Sequence, residues 1–183
     1  RSLGIRSNPG CHPNNRNPFR GRTGASRCDS KPFPSVSRYT FWFGWPTFLR
    51  RLGLENNLID SLEVDNLAIL EEVNISDNNL NTLSLSGCSN LKKLHCYRNS
   101  IDSLNLEGCD SLTNIWCDGN AIDSIDISGQ QNLIEFYGQD NAMSKLTVGN
   151  HPELTKLWLG PNSLSFVDVS NCPKLEVLNF GTN

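Results

Sequence analysis

Seven cysteines, three histidines and a scatter of carboxylates are the residues of this chain on which chemistry could rest. Cysteines at C-x2-4-C spacing with histidine would hold zinc, and a Cys or Ser set against a His and an acid would make a nucleophile. Neither arrangement is legible. His95 adjoins Cys96, but neighbours on an extended strand point to opposite faces and cannot converge on one ion. His12, His95 and His151 fall in different sequence contexts, and no glycine-rich phosphate loop is present. Asp118, Asp126, Glu135, Asp140 and Asp168 are of the type that pairs in glycoside hydrolysis. That chemistry needs an enclosed site to separate two carboxyl pKa values. Aromatic residues offer binding instead of catalysis: Trp116, Tyr137 and Trp158 follow His95 at successive intervals of 21 residues. Trp and Tyr beside a few polar groups are the usual anchors of an interface.

The same interval runs through most of the chain. Asparagine recurs at Asn57, Asn78, Asn99, Asn120, Asn141, Asn162 and Asn183, and leucine keeps the beat at Leu49, Leu70, Leu91, Leu112, Leu133, Leu154 and Leu175. A fixed period of this size marks a solenoid, whose turns bury their apolar faces only by stacking on one another. The segments 70–78, 91–99, 112–120 and 154–162 follow the pattern LxxLxLxxN. This resembles the leucine-rich repeat family over residues 49–183, six complete periods bounded by seven consensus segments. The 21-residue period is most similar to the short bacterial repeats of the internalin group and of Bacteroidetes surface proteins. The resemblance implies a curved parallel β-sheet on the concave side, short extended segments and turns on the other side, and little helix. It also implies a non-enzymatic surface used mainly for protein partners, on a protein placed outside the cell or at its surface.

Within the unit, apolar residues two apart, such as Leu94 and Cys96 or Ile115 and Cys117, point to one face of a short strand. A second pair follows in each period, from Leu62/Val64 through Leu104/Leu106 to Val167/Val169, and predicts a second extended edge. The closing asparagine has an amide that both donates and accepts, and so can satisfy backbone where the chain leaves the sheet. Cys96 and Cys117 share the inward column of Leu54, Ile75, Leu159 and Phe180, and Cys88, Cys109 and Cys172 share the turn column of Leu67. These five read as reduced, buried, hydrophobe-like residues, with no metal and no cofactor.

Between the inward positions lies an outward column that includes His95, Trp116, Tyr137 and Trp158, with Tyr97, Asp118 and Gln139 in the column beside it. These seven are the expected ligand-binding residues. A protein partner is the first reading, and carbohydrate stacking on the same stripe is the alternative. The small polar columns of the second edge, including Ser103, Asn105, Ser124 and Thr147, read as ordinary solvated surface.

Charge divides the chain. Residues 1–51 carry ten Lys or Arg against Asp29, a net +9, while residues 52–183 carry six against eighteen Asp or Glu, a net −12. Residues 1–38 read as a basic, irregular arm for which no nucleic-acid partner is expected, since no recognised fold accompanies the charge. Residues 39–48 read as a cover over the first turn, and residues 49–183 as the solenoid, with no C-terminal cap evident. No signal peptide and no apolar run of membrane-spanning length can be read. The chain begins with Arg1 and ends on a consensus segment, so a longer parent protein is expected.

Overall fold

The computed structural model describes residues 48–183. The expected basic arm and all but Phe48 of the expected cover lie outside them. Phe48 itself is 88% exposed, whereas Leu49 is buried.

Eleven three-residue strands make up the regular structure of this part, and it contains no helix. β1 (Arg51–Gly53), β3 (Glu72–Asn74), β5 (Lys93–His95), β6 (Asn114–Trp116), β8 (Glu135–Tyr137), β10 (Lys156–Trp158) and β11 (Val177–Asn179) form one seven-stranded parallel sheet. Its register is the sequence period: Leu94 lies opposite Ile115, Ile115 opposite Phe136, and Phe136 opposite Leu157. The middle residues of β1 to β10 in this sheet are buried, which fixes the pairing because a one-residue slip would turn each apolar side chain to water. At the last rung Leu178 is 43% exposed.

The strands are short because each period must turn out of the sheet. Asp77, Arg98, Gly119 and Asp140 hold left-handed backbone at φ 54°, 51°, 63° and 53°, a region in which Asp and Gly are common and Arg is not. The asparagine that follows stitches the turn down. Asn120 Nδ2 donates to the carbonyls of Cys96 in the preceding turn and Cys117 in its own, both at 3.0 Å, and its Oδ1 accepts from Ile101 N at 3.0 Å. Asn78, Asn99, Asn141, Asn162 and Asn183 repeat this set.

The second edge differs from its expectation. β2 (Ser61–Glu63) pairs with β4 (Thr82–Ser84), and β7 (Ser124–Asp126) pairs with β9 (Lys145–Thr147), but no strand forms at 103–105 or 166–168. Leu104 and Leu106 nevertheless remain buried. On this edge the register is held by side-chain burial, which does not require a continuous backbone ladder.

The core fills the space between the two edges. At Gly138, where other periods carry Cys or a larger residue, an added Cβ would stand 2.5 Å from the Phe136 ring and 2.8 Å from Met143 Cε. The large Phe136 therefore occupies the volume that Gly138 leaves. Five free cysteines are buried along the stack, as their columns predict. Burial pushes the Cys96 and Cys109 thiols up to about 12 and Cys117 well above its ordinary value, so all three stay protonated at neutral pH.

Candidate functional site

Strands β5, β6, β8 and β10 place His95, Trp116, Tyr137 and Trp158 on consecutive rungs. Because the residues on either side of each ring are inward and buried, the ring emerges on the opposite face. Rungs of one sheet stand about 4.8 Å apart, close enough for neighbouring rings to touch. The His95 and Trp116 centroids are 4.2 Å apart with their planes at 11°. Trp116 and Tyr137 follow at 6.0 Å and 12°, and Tyr137 and Trp158 at 6.0 Å and 20°. Each ring therefore turns its faces along the file, toward its neighbours, and its edge outward. All four are half-buried as a result. Burial also lowers the His95 pKa, against the pull of Glu72, so its ring is neutral at pH 7.

The flanks differ in how fully their charges are used. On one side Glu135 accepts from Asn114 Nδ2 at 3.1 Å and pairs with Lys156 Nζ at 2.8 Å, a contact that raises the Lys156 pKa. The other side carries Tyr97, Asp118 and Gln139, all half-buried. The Arg98 guanidinium lies 5.9 Å from the Tyr97 ring centre and 3.5 Å from Asp77 Oδ1. Asp118 and Asp140 form no ion pair among the described residues. Burial raises the Asp118 pKa, and the Asp140 and Asp77 charges add to that, while its backbone hydrogen bond and Arg98 oppose it. Gln139 Oε1 and Trp158 Nε1, on adjacent rungs, are buried without a hydrogen-bond partner. The seven residues singled out from sequence thus lie in two adjacent columns of one sheet face.

Among the described residues no group of three His, Cys, Asp or Glu is placed to hold a metal ion. Asp126 and Asp168 are exposed on the second edge and accept from Ser128 N and Ser170 N, both at 2.9 Å. These bonds lower their pKa values, the opposite of what a general acid needs. Beside Asp126, an open depression of about 380 Å³ lined by Ser103, Asn105, Lys145 and Thr147 marks the break in the second ladder.

One feature escaped the sequence reading. Gln130 and His151 continue the column of Cys88, Cys109 and Cys172 and are buried in it. Gln130 Nε2 donates to Leu106 O at 3.1 Å, the bond that Cys88 Sγ makes to Val64 O at 2.9 Å two registers earlier. His151 Nε2 lies 2.8 Å from Val148 O. The 21-residue spacing from Cys109 was the available signal.

No family model matches the chain, and no curated protein matches it. Solved structures do. The functional domain of InlJ from Listeria monocytogenes, described as including a cysteine ladder, aligns with 72% of this chain and 39% of its own length, at 20% identity and a TM-score of 0.52. A leucine-rich-repeat protein of Leptospira interrogans aligns with 71% of this chain and 48% of its own length, at 20% identity and a TM-score of 0.42. The chain spans less than half the length of either structure. No helix among the described residues is long and apolar enough to cross a membrane.

Proposed function

From a chain with the leucine-rich-repeat fold and one ordered file of rings on its sheet, we propose a non-enzymatic recognition module that binds a protein partner. The binding face is the seven-stranded sheet, with Trp116, Tyr137 and Trp158 as anchors and His95, Tyr97, Asp118 and Gln139 around them.

The turn of the rings supports this reading over carbohydrate binding. A sugar stacks its C–H face on an open aromatic face. A ligand slipped between two rings needs roughly 7 Å between them, twice the ~3.5 Å of carbon contact. The centroids here stand 4.2 to 6.0 Å apart, so Trp116 and Tyr137 have no free face. What the file presents is a ridge of half-buried ring edges in place of open aromatic faces. Such a ridge suits the side chains and carbonyls of another protein.

Random peptides displayed on phage and selected on the immobilised chain should yield binders that the Trp116→Ala/Trp158→Ala variant does not retain. Selection without such binders would sink the proposal. Soluble polysaccharides, titrated in parallel, should leave the tryptophan emission unchanged. A saturable change that disappears in Trp158→Ala would transfer the site to glycans. Export to the cell surface, implied by the resemblance to short bacterial repeats, belongs to the same proposal and is tested by cell fractionation.

A further inference from the structure

We infer that the occupant of this face is an amphipathic α-helix lying along the ring file, its apolar stripe on the rings and Lys or Arg on the flank that meets Asp118 and Asp140. The inference rests on the protein-binding reading above and adds the shape and charge of the partner.

Spacing carries the argument. The ring centroids are separated by 4.2, 6.0 and 6.0 Å, an average of about 5.4 Å, which is the pitch of an α-helix. Residues at i, i+3, i+7 and i+11 of a helix rise by about 16.5 Å in all over the same three steps. An extended peptide repeats on one side every ~6.8 Å and covers ~20 Å in three steps. The file covers at most about 16 Å in the same three steps. A strand would lose register with the rings and a helix would not. Ridges at this spacing also fit the grooves between helical turns.

Charge sets the orientation. On the Asn114 side, Glu135 is engaged by Lys156 and Asn114 and Glu72 by Arg51, and Lys93 adds a positive charge, so no carboxylate there is left for a partner's cation. On the Asp118 side, Glu55, Asp77, Asp118 and Asp140 share the edge with Arg98, which is held by Asp77. Asp118 and Asp140 are left for an incoming cation. A helix with basic residues on that flank completes them, and an acidic flank would be repelled.

The test is the sequence pattern of the peptides selected from a random 20-residue phage library. Apolar residues should recur at i, i+3, i+7 and i+11, with Lys or Arg enriched on one side of that stripe. A synthetic copy of an enriched peptide should become helical on binding, seen by circular dichroism. Trp116→Ala/Trp158→Ala should weaken it at least ~30-fold, and Asp118→Asn/Asp140→Asn should weaken it and flatten its salt dependence. Trp-dependent binders with alternating or aperiodic apolar residues would overturn the helix and leave protein recognition standing. Failure to select any Trp-dependent binder would overturn both. A helical binder indifferent to the Asp variants would remove the charged flank.

Discussion

The two edges of the solenoid are built from the same period and end in different states. The seven-stranded edge is paired at every rung, from β1 to β11, and carries the ring file. The second edge breaks into two pairs, with Leu104 buried in the unpaired rung between them. Side-chain burial is therefore sufficient to keep register, while an unbroken ladder is what a regular array of outward groups requires. Rings on a broken edge would not stand in one line.

Deep packing on the sheet side gives the sharpest way to break that comparison. Phe136 is fully buried and fills the gap at Gly138, so Phe136→Ala should cost ~3 to 5 kcal/mol in urea denaturation. Leu104→Ala, on the broken edge and 7% exposed, should fall toward the lower end of the ~2 to 5 kcal/mol range for such truncations. Equal losses would mean the two edges are equally tight.

The stitches come next. Asn120→Ala removes bonds to the preceding turn and to its own and leaves backbone groups without partners, at a cost of ~1 to 3 kcal/mol. Asn57, which among the described residues bonds only to Leu54 O and Glu55 O of its own turn, should matter less. If Asn57→Ala is as costly, the contact between turns is not what these residues supply.

Alkaline titration isolates the thiol column behind the sheet. With its pKa raised to about 12, buried Cys96 keeps its proton in the folded state after the unfolded chain has lost it, from about pH 9 upward. The unfolded state then binds fewer protons, so stability should fall with rising pH between about 9 and 12, by up to ~1.4 kcal/mol per pH unit for this group. Cys96→Val should lessen that slope. An unchanged slope would show that Cys96 titrates alike in both states.

The smallest effects concern the rings themselves. Trp116 stacks on two neighbours and Trp158 on one, and each such pair adds ~0.5 to 1.5 kcal/mol beyond area burial. Thermal unfolding should therefore rank Trp116→Ala below Trp158→Ala in stability, with both variants still folded. Reversal of the order would argue that Trp158, whose Nε1 is buried, packs into the sheet more than it packs on Tyr137.

Much of this was legible because a repeat states its constraint many times over. Leu91, Leu112 and Leu133 announce the same turn, and alternation around Ile115 and Cys117 fixes which side Trp116 occupies. The orientation of the rings was not legible, since side-chain torsions depend on the neighbour above and below. Nor was the break at 103–105, where the apolar pair is present but the ladder is not. Gln130 and His151 were missed because polar residues were not expected in an apolar column, although Gln130 makes there the carbonyl contact that cysteine makes elsewhere.

The asparagine that reaches back 24 residues has a mechanical meaning. Tension applied at the C-terminal end loads one stitch at a time, because the last rung is tied only to the one before it. When a stitch parts, a whole period is freed, 21 residues or roughly 70 Å of contour, and the next asparagine takes the load. The solenoid is thus built to lengthen in equal steps under force, with the aromatic file shortening by one ring at a time from the Trp158 end.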